Sequence, residues 1–168
     1  MNVNGKEIER KFLISYPTPQ VLAECSSESD IVQTYLKRTA VGVSNRVRAR
    51  TTNGICVYTH TEKQHITDVT RIELEHEIGE EEYNELLKQK DPERNVIIKK
   101  RYCLNYLGQE FEIDVYPFWS DRAVMELELS SEEQEIFFPE CVHVIRELTE
   151  DKRYTNASLA KSIPEESI

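Results

Sequence analysis

Charged residues recur two apart along this chain, and their signs are grouped. Glu7-Ile8-Glu9-Arg10-Lys11 brings together Glu7, Glu9 and Lys11, and Arg46-Val47-Arg48-Ala49-Arg50 brings together three guanidiniums. Arg71, Glu73 and Glu75 alternate with Ile72 and Leu74, and Lys99 and Arg101 flank Lys100. Glu112 and Asp114 alternate with Phe111, Ile113 and Val115; Glu126 and Glu128 alternate with Met125, Leu127 and Leu129. In an extended strand such doublets fall on one face. One doublet alone would suit a solvated sheet face. Six of them, set against apolar opposite faces, suit a charged interior. Desolvating such an interior costs several kcal/mol per ion unless the ions are paired, hydrated or ligand-bound. Clustered carboxylates suit Mg²⁺ or Mn²⁺, and clustered Arg and Lys suit phosphate oxygens. A compact phosphoanion with a divalent metal satisfies both sets at once.

The elements that must position these groups are mostly strands. Period-two alternation predicts strands at Glu7–Leu13, Ile31–Leu36, Asn45–Thr51, Gly54–Glu62, Thr70–Ile78, Val96–Tyr106, Gln109–Tyr116, Val124–Leu129 and Val142–Leu148. Asn53-Gly54 is a type I′ hairpin signal, and Gly108 marks a second tight turn. Short helices are expected at Pro19–Cys25 and at Glu80–Lys90, whose acidic first turn and lysine-bearing last turn suit the helix dipole. Two more are expected, one after the capping-box pattern at Ser130–Glu133 and ending before Pro139, the other from Asn156 through Ala160. Hairpin-linked strands with few short helices indicate an α+β fold built on an antiparallel barrel, apolar outside against the helices and charged within.

Bulk properties bound the function. The chain has 168 residues, read as a single domain over 1–168, and carries 21 Lys+Arg against 31 Asp+Glu, a net charge of −10. That balance disfavours duplex nucleic acid and anionic membrane as partners. No apolar run is long enough to span a bilayer, and Met1–Phe12 does not read as a signal peptide. Cys25, Cys56, Cys103 and Cys141 are scattered, as in a reduced, cytoplasmic protein. His60, His65, His76 and His143 show no metal-binding spacing, and there is no glycine-rich phosphate loop. A domain of this size is expected as a monomer or homodimer.

The ordered doublets resemble the triphosphate tunnel metalloenzyme (CYTH-like) family over most of the chain. Its ExExK stands here as Glu7-Ile8-Glu9-Arg10-Lys11, its RxR as Arg46-Val47-Arg48, its ExE as Glu73-Leu74-Glu75 and its KxR as Lys99-Lys100-Arg101. The later acidic pairs match Glu112/Asp114 and Glu126/Glu128. Lys63 matches a basic position, although Lys63-Gln64-His65 replaces the simpler Thr-x-Lys-Gly of many members, and Asp151–Ala160 resembles the closing segment, with Lys152 as the tunnel lysine. The resemblance implies an eight-stranded antiparallel barrel enclosing a triphosphate and a divalent metal. It implies a metal-dependent triphosphatase acting on a small anionic triphosphate, inorganic triphosphate first, with thiamine triphosphatase or class IV adenylyl cyclase as alternatives; a reading of another class is a non-catalytic module that binds polyphosphate, nucleotide or phosphoinositide. The roles expected are metal ligation by Glu7, Glu9, Glu112, Asp114, Glu126 and Glu128, and phosphate binding by Lys11, Arg46, Arg48, Lys99 and Arg101. Glu73 or Glu75 would orient water, and Lys63 or Lys152 would stabilise the leaving phosphate. Arg10, Lys100 and Arg50 are expected outside or at the rim, and Trp119 in packing.

Overall fold

The computed structural model describes residues 5–168. Residues 1–4, which open the segment expected not to be a leader, lie outside the described residues. The alternating segments form β1 (Lys6–Ser15), β2 (Ser27–Tyr35), β3 (Val43–Thr52), β4 (Ile55–His65), β5 (Thr70–Ile78), β6 (Ile97–Tyr106), β7 (Gln109–Val115), β8 (Arg122–Glu128) and β9 (Val144–Glu147). The helices are α1 (Pro19–Glu24), α2 (Glu80–Leu87) and α3 (Asn156–Leu159), with a 3₁₀ turn at Lys152–Tyr154. The first eight strands run β5-β4-β3-β2-β6-β7-β8-β1, and β1 pairs back onto β5. Every pairing is antiparallel. The barrel is therefore closed, which removes its exposed edges. Strand β9 lies outside the ring and takes over the edge of β1 that β5 leaves, at Phe12↔Glu147 and Leu13↔Arg146.

The seam between β1 and β5 is short, with three paired positions: Lys6↔Ile72, Glu7↔Arg71 and Ile8↔Thr70. Just before it, the Gly5 carbonyl accepts the Glu73 N–H at 2.7 Å. Gly5 has φ +69°, and a Cβ there would stand 2.9 Å from the Glu73 carbonyl oxygen. Only glycine meets both conditions. Gly5→Ala is expected to cost about 1–3 kcal/mol, measured by urea unfolding; an unchanged midpoint would show that the seam does not depend on this contact.

The hairpin signals are realised as positive-φ pairs, Asn53 (51°) with Gly54 (78°) and Leu107 (49°) with Gly108 (73°). The helices differ from expectation in three ways. Helix α2 ends at Leu87, and three turn-like backbone bonds carry the chain on to Lys90. The segment 130–139 is not helical. There the Gln134 side chain accepts from both the N–H and the hydroxyl of Ser130, so the capping pattern closes a local loop. Beyond it the Gln109 amide pins the Phe137 backbone through two hydrogen bonds, and Phe138 packs edge-on against Phe12. An extended segment thus covers the barrel where a helix was expected. Finally, α3 does not cover the outside. Its Leu159 and the following Ala160 pack with Leu13, Tyr35, Ile97, Tyr116, Trp119, Val124, Leu148 and Tyr154.

That last cluster fills one part of the barrel interior, because Leu13 and Val124 are two residues beyond Lys11 and before Glu126 on the inward faces of β1 and β8. The outward residues Ile8, Phe12, Phe111, Ile113, Met125 and Leu127 form a second core with Val21 of α1. Tyr83 of α2 packs with Leu36, Val47 and Ile78 as a third. The inside is an apolar plug followed by a charged chamber.

Candidate active site

The charged chamber is a cavity of about 1100 Å³ bounded by residues from β1–β8, the 149–161 segment and the loop before β6. Register explains its walls. Arg46, Arg48 and Arg50 of β3 face inward beside Gln33 and Tyr35 of β2. Lys99 and Arg101 of β6 stand on the other side of β2, level with Ile31 and Ser29. Across the barrel, Glu9↔Glu128 and Lys11↔Glu126 pair β1 with β8, while Glu126↔Glu112 pairs β8 with β7. Lys63↔Glu73 joins β4 to β5, and Glu7↔Arg71 closes the ring.

Opposite charges meet throughout. Lys11 Nζ is 3.2 Å from Glu126, Lys63 Nζ is 3.1 Å from Glu73, and Arg71 reaches Glu7 at 3.0 Å and Glu9 at 2.7 Å. Arg101 is the hub. It donates twice to Asp114, at 2.7 and 2.9 Å, pairs with Glu112, and lies 3.5 Å from Glu126. Arg46 and Arg48 are held more loosely, 3.9 Å from Glu73 and 3.5 Å from Glu75. The Thr61 hydroxyl donates to the same Glu75 oxygen at 2.8 Å.

This packing moves the titrations. Burial, aided by a shared proton with Glu73, lifts Glu7 to about 8. Burial also opposes the charge of Glu73, but the Glu7 hydrogen bond, Lys63 and Arg46 bring it down to about 2. Desolvation lowers Lys99 to about 8 despite Asp114, and lowers Lys63, which also faces Arg46 and Arg71. Burial works against Glu126, yet Lys11, Arg101 and Lys99 hold it well below the usual carboxylate range. Opposed titrations in one cleft are a mark of functional sites.

The predicted residues Glu7, Glu9, Lys11, Arg46, Arg48, Lys63, Glu73, Glu75, Lys99, Arg101, Glu112, Glu126 and Lys152 all border this one cavity. Two predicted residues do not border it. Asp114 is sealed behind the wall with both oxygens taken, by Arg101 and by Lys99 at 2.7 Å. Glu128 is exposed at the rim opposite Glu9. Arg10 points outward to Glu147 and Lys100 to Glu28, as expected. Arg50, expected at the periphery, borders the chamber and donates to Ser29 at 3.0 Å. Trp119 packs in the plug with Tyr116 and Tyr154. Arg71, Arg94 and Lys161 also border the cavity, without a role expected from the sequence. The period-two rule marks Arg71, two before Glu73; Arg94 comes from a loop and has no such signal.

Known proteins match the chain over most of its length. The chain is 33% identical over 159 residues to a protein of Acetivibrio thermocellus named inorganic triphosphatase, covering 94% of this chain and 95% of that one. The chain belongs to the triphosphate tunnel metalloenzyme family. The crystal structure of the inorganic triphosphatase NE1496 superposes with a TM-score of 0.57 at 31% identity, over 95% of this chain and 97% of that one. The PH1819 protein from Pyrococcus horikoshii OT3 shares the fold, with a TM-score of 0.56 at 18% identity over 75% of this chain and 80% of that one. No family model matches the chain. Among the described residues, no helix is long and apolar enough to cross a membrane.

For a metalloenzyme the tunnel must offer cation ligands. Its acidic groups are all carboxylates, the hard oxygen donors that Mg²⁺ and Mn²⁺ prefer. Among the described residues no three acidic, histidine or cysteine side chains already converge as a cage. Mg²⁺ does not require one, because it is commonly held by one or two carboxylates with substrate phosphates and water. Glu9 of the tunnel wall fits that requirement, with Glu128 opposite it at the rim on β8 and Glu126 and Glu112 of the wall in the adjoining register.

Proposed function

We propose that this protein is a divalent-metal-dependent triphosphatase that hydrolyses the terminal phosphoanhydride of inorganic triphosphate. The observation that carries this is the composition of the chamber: cationic residues of β3 and β6 confront carboxylates of β1, β7 and β8, with Tyr35 and the imidazole of His65 as the rings among the described residues bordering it. Phe118 instead stacks on Tyr116, and Trp119 packs edge-on against it in the plug. A base or thiazolium therefore meets mostly charged side chains and few rings, whereas a bare phosphate chain needs no ring at all.

Each group then has an assigned task. Arg46, Arg48, Lys99 and Arg101 grip phosphate oxygens, with Lys11 beside them. Arg71 adds to this wall. Glu9 and Glu128, with Glu126, Glu112 and Glu7, would hold Mg²⁺ or Mn²⁺. The bound metal supplies charge neutralisation at the phosphate oxygens. Asp114 is assigned to holding Lys99 and Arg101 rather than the metal. Glu75, fixed by Thr61, and Glu73, fixed by Lys63, orient the attacking water. Lys63 and Lys152 offset charge on the departing phosphate. Positioning and electrostatic stabilisation are sufficient for phosphoryl transfer. Four free thiols support a reducing, cytoplasmic setting.

Phosphate release from tripolyphosphate, ATP and thiamine triphosphate, with Mg²⁺ or Mn²⁺ and with EDTA, tests the proposal. Tripolyphosphate is expected to be cleaved fastest, and EDTA to abolish turnover. Preference for ATP or thiamine triphosphate would refute the substrate assignment, and undiminished turnover in EDTA the metal assignment.

A further inference from the structure

Three buried polar atoms along β2 and β3 have no hydrogen-bond partner among the described residues: Gln33 Oε1, Arg46 Nε and Arg48 Nε. One is an acceptor and two are donors. Gln33 stands directly opposite Arg48 in the β2–β3 register, and Tyr35 opposite Arg46. The Gln33 side chain borders the chamber but is fully buried, so it does not face open solvent. Its Nε2 donates to the Tyr35 hydroxyl at 2.7 Å, which fixes the amide and leaves Oε1 as the free end. Tyr35 is itself braced by the Arg94 guanidinium over its ring, 5.5 Å from the centroid.

Arg48 is meanwhile held from the far side by one long contact, Nη2 to Glu75 at 3.5 Å. Glu75 has a better partner in Thr61. An acceptor and a donor left unpaired while facing each other across adjacent strands are costly to bury. The cost is understandable if the pair forms in another state. A phosphate oxygen drawing the guanidinium tip off Glu75 reorients the side chain, and its Nε–H can then donate to Gln33 Oε1. Resting on the triphosphatase proposal, we infer that Gln33 is the positioning residue for Arg48, locking the guanidinium plane so that its remaining N–H groups meet the phosphate as a fork. A planar guanidinium gains from such fixation because its donors lie in one rigid array. Tyr35 supports Gln33 by setting which end of the amide faces Arg48.

The test is a double-mutant cycle read by steady-state hydrolysis of tripolyphosphate, with thermal unfolding alongside. Gln33→Met keeps the volume and removes the acceptor. It is expected to raise KM about tenfold, with kcat changed by less than about threefold. Its thermal midpoint should change little, because the orphaned buried acceptor goes while the Tyr35 hydroxyl loses its donor. Arg48→Ala should raise KM as well, and the double variant should be no worse than Arg48→Ala alone. A purely structural glutamine would give a markedly lowered midpoint with KM unchanged. If Gln33→Met does not fold, Tyr35→Phe takes its place in the cycle, with a smaller KM increase that again vanishes in the Arg48→Ala background. Unchanged KM, or penalties that add, overturn the inference while leaving the triphosphatase proposal intact. Absence of turnover by the native protein overturns both.

Discussion

Arg101→Met is expected to lower the unfolding free energy by about 3–5 kcal/mol. Arg101 is nearly buried and serves three carboxylates at once, Asp114, Glu112 and Glu126. Methionine retains most of the stem but strands those carboxylates in a low-dielectric interior, with Lys99 and Lys11 as the remaining nearby cations. Removing one partner of a buried ionic group costs far more than the intact group contributes, because the orphaned charge cannot return to water. The loss should depend on pH, and its sign can be worked out. In the native protein burial pushes Asp114 up, but Arg101 and Lys99 hold it below its ordinary value. Its contribution is therefore present above about pH 3.9 and lost as the pH falls through the lower folded value. Glu112 is already raised by burial despite Arg101, so its contribution is lost as the pH rises through its folded value. Without Arg101, each of the three groups loses a cationic partner that lowers it and titrates higher than in the native protein. The gap between native and variant stability should widen from pH 4 towards pH 7. Urea unfolding followed by the fluorescence of Trp119, the one tryptophan in the chain, measures it. A loss under about 1 kcal/mol, constant with pH, would mean that the carboxylates are neutralised without Arg101.

The same residues show what the sequence discloses and what it hides. Period-two spacing of like charges places Arg46, Arg48, Lys99, Arg101, Glu9 and Glu126 on inward faces, because a strand has no other way to distribute alternate side chains. Closure of the ring is consistent with the same pattern, since the apolar opposite faces pack outward and the charged faces then meet one another inside. The spacing does not show which residue opposes which. Register arises from hairpin turns and from the short β1–β5 seam, so Asp114 looks like one more acid until its pairing with Arg101 and Lys99 removes it from the cavity wall. The segment after Ser130 carries helix-start residues, yet Gln134 and Gln109 give its backbone competing partners that no local pattern reveals. The plug is likewise invisible in the sequence, because Trp119 of a loop, Tyr154 of the 3₁₀ turn and Leu159 of α3 meet through tertiary packing. Gln33 and Arg94 belong to no motif, and only burial beside unpaired guanidiniums sets Gln33 apart.

Glu9→Gln combined with Glu128→Gln is expected to reduce tripolyphosphate turnover by at least about 100-fold, several kcal/mol of transition-state stabilisation. The two carboxylates face each other from adjacent strands at the open end of the acidic wall. An amide keeps the shape and one oxygen but loses the charge, and the desolvation of a divalent cation is then poorly offset. Of the two, Glu9 also holds Arg71 at 2.7 Å, so a simple drop in activity could come from a displaced arginine. A second measurement separates the causes. A cation that binds the native tunnel raises its thermal midpoint by mass action, to an extent set by concentration and affinity. Mn²⁺ alone, without triphosphate, should therefore stabilise the native protein and leave the double variant unmoved. Arg71→Met should weaken triphosphate binding yet keep the Mn²⁺-induced rise, because it removes a cation and leaves both carboxylates. Near-native turnover in the double variant, or a Mn²⁺ response equal to that of the native protein, would locate the metal elsewhere among the tunnel acids, with Glu126 and Glu112 as the adjoining pair.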